Sequence, residues 1–241
     1  NGSPQRLAND ENGIVFSANG LGGLQVYQIV EDEFVQISHK RDTEYVLDVA
    51  VTPDGSTVFL ANKRDGIGAY SFDGNGFTLM DRFRPEESEY YYYSTNDINS
   101  VELIGENKIL YTHRVSMSDY MSGKSYSYGS AETCIWNGSA FIDYSSIFSY
   151  PFDWYSYAGL VSDMAFINED SVVAGLGNAG IAIRYADNRI STGGYVNDVD
   201  LLPDGTILTA NSTAGLKTYE YDSGFTLVDS INNGGSAKNI L

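Results

Sequence analysis

The sequence predicts an all-β chain folded as a five-bladed β-propeller of four-stranded antiparallel blades, and three observations predict it. Among 241 residues, 19 Tyr and 25 Gly stand beside only 5 Pro. Gly mixed with β-branched and aromatic residues, without a long stretch of helical period, favours strands. A segment of about 43 residues recurs five times and fills almost the whole chain, the spacing of four-stranded propeller blades. Turn residues fall at the same places in most copies.

The pattern is plainest in the second copy, where Asp48-Val-Ala-Val-Thr-Pro-Asp-Gly55, Thr57-Val-Phe-Leu-Ala-Asn62, Gly66-Ile-Gly-Ala-Tyr70 and Phe77-Thr-Leu-Met80 read as four short strands. The last copy repeats it as Asp198-Val-Asp-Leu-Leu-Pro-Asp-Gly205, Ile207-Leu-Thr-Ala-Asn211, Gly215-Leu-Lys-Thr-Tyr219 and Phe225-Thr-Leu-Val228. The first copy is readable from its second strand onward, as Ile14 to Asn19, Gly23 to Tyr27 and Phe34 to Ile37. A fourth copy gives Ser162 to Ile167, Val172 to Gly175, Gly180 to Ile183 and Arg189-Ile190. The third is the most diverged, with Ser100 to Leu103, Lys108 to Thr112, Thr133 to Trp136 and Ala140 to Ile142.

Each turn has a local cause. Pro53-Asp54-Gly55 and Pro203-Asp204-Gly205 close hairpins because Pro fixes φ and Gly accepts positive φ. Asn19, Asn62 and Asn211 end second strands, where an Asn side chain can bond the backbone of the following turn. Asp73-Gly74-Asn75-Gly76 closes the last hairpin of its blade. Gly20-Leu-Gly-Gly and Gly175-Leu-Gly are turns too, since no helix follows them to form a phosphate site.

Ser236-Ala-Lys-Asn-Ile-Leu241 matches the first strand of a blade, with Asn239 where Asp48 and Asp198 stand. The C-terminal strand is therefore expected to pair with Ile14 to Phe16 and close the ring. The alternative is that Gln5-Arg-Leu-Ala8 forms a first strand of its own. Leu241 then begins a sixth blade, and the chain is a fragment of a six-bladed or longer propeller. On the five-blade reading the single domain divides into blades at 236–241 with 10–40, 46–83, 97–148, 160–191 and 196–232.

The net charge is −18, from 32 Asp and Glu against 14 Lys and Arg, with pI near 4.2. Such a surface repels phosphate backbones, and no stretch clusters Lys and Arg, so nucleic acid and anionic membrane are not expected partners. No stretch approaches the ~18 apolar residues of a membrane span. The one cysteine, Cys134, permits no internal disulfide or thiolate metal cluster and reads as a small buried apolar residue.

Asp48-Val-Ala-Val-Thr-Pro-Asp-Gly55, Ala61-Asn62 and Gly66-Ile-Gly-Ala-Tyr70 resemble the LVIVD-repeat propellers and, more loosely, the YVTN-type repeats. The resemblance covers nearly all of the chain apart from the insertion in blade three. It implies a binding or scaffolding module of a secreted or cell-surface bacterial protein, including one lipid-anchored through a removed N-terminal segment or built into a larger surface assembly. It names no activity.

Candidate binding residues follow from where the insertions fall. Tyr90, Tyr91, Tyr92 and Tyr93 lie between blades two and three. Tyr120, Tyr126 and Tyr128 lie in a loop expected over Ser116 to Ser130, between the second and third strands of blade three. Trp154, Tyr155 and Tyr157 lie between blades three and four. In a propeller these connections share one face, and Tyr, Trp, Ser and Gly together suit a recognition surface for a protein or glycan. The bland alternative is that these rings pack on one another. His113, in the place of Asn62, faces the same loops.

A second set, Asp48, Asp163, Asp198 and Asn239, recurs once per blade on the innermost strand. Read catalytically, these could serve a glycosidase or a lactonase. A residue repeated at one register more simply does one structural job in every blade, such as accepting a neighbour's backbone N–H. No catalytic residue, metal site or cofactor is expected; a cation such as calcium in this ring is compatible with the carboxylates but not predicted.

Overall fold

The structure, a computed structural model, describes residues 2–41, 45–84, 94–119, 124–149, 162–168, 171–183, 188–238 and 240, with backbone only at 94–96, 115–119, 124–128, 146–149, 166 and 168. Among the described residues, twenty strands form five antiparallel sheets of four, each hydrogen-bonded in chain order. These are the five blades of a β-propeller. Blade one is β1(Arg6–Asn9), β2(Ile14–Ala18), β3(Leu24–Val30) and β4(Glu33–Lys40). Blade two is β5(Asp48–Val51), β6(Thr57–Ala61), β7(Ile67–Phe72) and β8(Phe77–Phe83). Blade three is β9(Ser94–Ile104), β10(Lys108–Asp119), β11(Lys124–Trp136) and β12(Phe141–Ser149). Blade four is β13(Asp163–Asn168), β14(Ser171–Gly175), β15(Ile181–Ile183) and β16(Arg189–Ile190), and blade five is β17(Asp198–Leu201), β18(Ile207–Ala210), β19(Leu216–Tyr221) and β20(Phe225–Ile231).

The structure corrects two expectations. The inner neighbour of β2 is β1, with Arg6 opposite Ala18 and Ala8 opposite Phe16. The place expected for the C-terminal strand beside Ile14 to Phe16 is thus taken by the N-terminal one. The alternative reading of Gln5 to Ala8 as a first strand is the one that holds here; Arg6 weakens it, because it stands where the later blades have Asp48 and Asp198. The loop expected over Ser116 to Ser130 is largely strand, since β10 continues to Asp119 and β11 starts at Lys124. Alternating Tyr and Ser suits a pleated hairpin better than a coil.

The chain divides into two compact units, the first Asn1–Ser88 with Thr95–Tyr111 and Thr133–Ser145, the second Glu89–Ser94 with Thr112–Glu132 and Ser146–Leu241. In the first unit, strand alternation gives each sheet two apolar faces. Val49, Val58, Leu60 and Tyr70 of blade two pack on Phe16, Ala18, Leu24 and Val26 of blade one. The opposite face of blade two, with Ala50, Phe59, Ala61, Ile67 and Ala69, packs on Ile98, Val101, Ile109, Tyr111, Cys134 and Trp136 of blade three. Phe59 and Trp136 meet edge to face at 5.6 Å between centroids. Fully burying each such large side chain stabilises by about 1.5–3 kcal/mol. In the second unit, Ala165, Val173, Ile181 and Ile183 of blade four pack on Val199, Ile207 and Tyr219 of blade five. Buried Cys134 behaves as the apolar residue its neighbours predicted.

The turn after each second strand is fixed by its own chemistry. Gly23, Gly66, Gly180 and Gly215 share one position, at φ 73°, 80°, 93° and 79°. A Cβ there would run into the carbonyl oxygen of Lys40, Phe83, Ile190 or Ile231 on the outer strand, so both the backbone angle and the close approach require glycine. The Asn that ends the second strand is buried, but its amide turns back. Asn19, Asn62 and Asn211 donate from Nδ2 to the carbonyl two residues earlier, at 2.8, 3.3 and 3.1 Å. Of the three, Asn211 also reaches the following turn, at 3.4 Å to the Gly215 carbonyl. The Pro-Asp-Gly hairpins form as read, with Gly55 and Gly205 at φ 73° and 86°.

Candidate functional site

The inner-strand acids are buried and engaged with backbone. Asp48 accepts from the Val49 N–H at 2.8 Å through Oδ1 and from the Val101 N–H at 3.0 Å through Oδ2. Asp163 Oδ2 accepts from the Val199 N–H at 3.1 Å, and Asp198 Oδ2 accepts from the Ile240 N–H. For Asp48 and Asp163 the acceptor lies on the first strand of one blade and the donor on the strand that opens the next. The carboxylates are therefore clamps between blades, one local job done repeatedly. Asn239 lies outside the described residues. Among the described residues no group of three or more His, Cys, Asp or Glu is placed to hold a metal ion.

Blade three is the unlike member. Its strands run 11, 12, 13 and 9 residues, while among the described residues no strand of the other blades exceeds 8. Along β11 the core positions Trp136 and Cys134 are followed at the same parity by Glu132, Ser130, Tyr128 and Tyr126. Along β10, Ile109 and Tyr111 are followed by His113. The two strands thus continue past the apolar core of the blade.

His113 marks the changeover. It is buried, and its Nε2 lies 3.1 Å from Glu132 Oε1, an ion pair when the imidazole is protonated. The Ser130 hydroxyl donates to the same Oε1 at 3.5 Å. A nucleophile relay would need the hydroxyl on the imidazole rather than on the carboxylate. This order of contacts instead ties β10 to β11 where the hairpin leaves the core. Glu132 is not among the residues the sequence pointed to, although its spacing of two from Cys134 was the available signal.

The remaining predicted residues are placed as follows. Tyr126 and Tyr128 lie on β11. Tyr90, Tyr91, Tyr92, Tyr93, Tyr120, Trp154, Tyr155 and Tyr157 lie outside the described residues. A further aromatic group has no counterpart in the sequence reading. Tyr144 of β12 stacks on Phe83 of β8 with centroids 4.3 Å apart, and its hydroxyl donates to the Phe141 carbonyl at 3.0 Å. The partly buried hydroxyl is pushed up to about 12, first by desolvation and then by the nearby Cys134 and Asp81.

No family model matches the sequence, and no curated protein matches it. Solved structures do match in shape. The chain is similar to the RRP9 WD40 repeats, with a TM-score of 0.61 and 10% identity over 99% of this chain and 83% of that one. U3-55K gives the same score and identity over 99% and 84%. The Cps50 (Swd1) β-propeller domain of Myceliophteria thermophila gives 0.61 and 10% over 94% and 71%. Identity this low speaks for fold alone, and with five four-stranded sheets on the page it fixes that fold as the β-propeller.

Proposed function

We propose that this chain is a non-catalytic binding propeller that takes a protein partner on the extended hairpin of blade three. The observation that carries the reading is that β10 and β11 outrun every described strand of the other blades and that Tyr126 and Tyr128 lie on the extended part of β11. A strand pair longer than its sheet needs for packing offers rigid aromatic contact area at low entropic cost. The inner-strand carboxylates support the same reading, because each already accepts from backbone. The net charge of −18 favours a partner with a basic surface and a salt-sensitive on-rate. In the same reading the chain works outside the cell or on its surface, as its resemblance to LVIVD-repeat propellers implies.

The test is a Tyr126→Ala, Tyr128→Ala double variant in a pull-down against surface proteins, beside a glycan array. Partner capture lost at an unchanged thermal midpoint supports the proposal. Capture that survives, or a collapsed fold, overturns it. Binding on the array without protein capture replaces the partner class with a glycan.

A further inference from the structure

Blade five repeats the interface of blade two but leaves it uncovered. By strand register Asp200, Leu208, Leu216, Thr218 and Ile231 occupy the places of Ala50, Phe59, Ile67, Ala69 and Phe83. In blade two Phe59 and Ile67 are wholly buried against blade three. In blade five Ile231 is 64% exposed, Leu216 is only half-buried, and with Leu208, Thr218 and Asp229 they line an open groove.

The segment beyond blade five is already laid down as a blade is begun. Between blades one and two, two and three, and four and five, the residue two past the second strand bridges a residue at or just before the first strand of the next blade: Gly20 with Val46, Lys63 with Ile98, Gly177 with Val196. Ser212 bridges Ala237 in the same way, with both N–H···O bonds at 2.9 and 3.0 Å. Ser162 Oγ donates to the Val196 carbonyl at 2.7 Å, and Asn197 Nδ2 at the matching place donates to the Ala237 carbonyl at 2.8 Å. Asp198 then clamps Ile240 as Asp48 clamps Val101 and Asp163 clamps Val199. The bridge and the carboxylate clamp that recur between blades, and the side-chain bond seen between blades four and five, are therefore all made to a segment whose sheet would cover the groove.

We infer that this face of blade five seats a further four-stranded blade, whose innermost strand begins at Ala237–Ile240. The occupant follows from continuity with the blade-to-blade interface rather than from apolar exposure alone. Its side chains facing the groove are apolar, as Ile109, Tyr111 and Cys134 are opposite blade two.

The experiment grafts residues 51–84 directly after Leu241 of residues 1–241, so that 239–241 take the places of Asp48, Val49 and Ala50. A second graft uses 201–232, giving an independent donor blade. Each is made with Leu216→Cys, whose labelling in the folded state is read against buried Cys134. The inference expects either graft to slow labelling of that cysteine by about tenfold or more and to slow amide exchange in β19 and β20. It also expects Asp198→Ala to reverse the protection. If both grafts stay protease-sensitive tails with labelling unchanged, the inference is wrong. If instead the ungrafted chain shows concentration-dependent protection with a dimer by light scattering, a second copy is the occupant, and the inference is again overturned.

Discussion

Asp48 holds Val101 across 53 residues of chain, its Oδ2 taking the Val101 N–H at 3.0 Å while Oδ1 takes its own neighbour Val49 at 2.8 Å. Replacing the carboxylate with a methyl group leaves both buried amides without that acceptor. Asp48→Ala is expected to lose about 1–3 kcal/mol for the orphaned amides, and Asp48→Asn, which keeps one acceptor oxygen, less. Urea denaturation followed by tryptophan fluorescence measures both, and equal midpoints for wild type and Asp48→Ala would refute the clamp.

The glycine that opens each third strand should be intolerant where a glycine in an open turn is not. Gly66 sits at φ 80° against the Phe83 carbonyl, whereas Gly74 sits at φ 91° with no atom within 4 Å of the place a Cβ would take. Gly66→Ala is expected to cost several kcal/mol, from strain plus overlap, and Gly74→Ala about 1 kcal/mol from φ alone. Thermal melts of the two variants side by side check the difference.

Tyr144 contributes a pH dependence at the alkaline end. Its phenol, normally at 10.0, is held up to about 12. Between those values the folded chain keeps a proton that the unfolded chain has lost. The stabilisation is complete below pH 10 and is lost as pH rises through about 12. Titrating the phenolate ultraviolet absorbance should show a late-ionising step that Tyr144→Phe removes.

Asp54 works at the acid end with the opposite sign. The Thr52 hydroxyl, at 2.6 Å, and then the Ser56 N–H hold its carboxyl below 3.8. Its contribution is present above pH 3.8 and disappears as pH falls through the lowered value. Carbon-detected NMR should place Asp54 below ordinary aspartates, and Thr52→Val should move it back toward them.

The blades were legible because a repeat displays its turns: Pro-Asp-Gly, Asn and Gly fall where φ and close approach demand them. The strand Arg6–Asn9 was legible only as the alternative reading of Gln5 to Ala8, because side chains alone carry no record of pairing, and Arg6 broke the Asp that marks the position elsewhere. The hairpin of blade three was half legible. Its tyrosines stood out as composition, yet the alternation from Trp136 back through Cys134 and Glu132 is what continues β11 to Lys124. The His113 and Glu132 contact was invisible because the two residues are 19 apart and meet only through the register of that hairpin. The carboxylate ring was readable in kind, since repetition at one register argued for a shared local task.

Cys134 lies with no exposed surface in the seam where blade three meets Phe59 and Ile67 of blade two. A thiol reagent can reach it only when that seam parts. Because the chain has a single cysteine, its modification rate in the native state is a reporter of opening that needs no mutation. Compared with the rate of global unfolding, it tells whether neighbouring blades separate on their own or come apart only with the whole molecule.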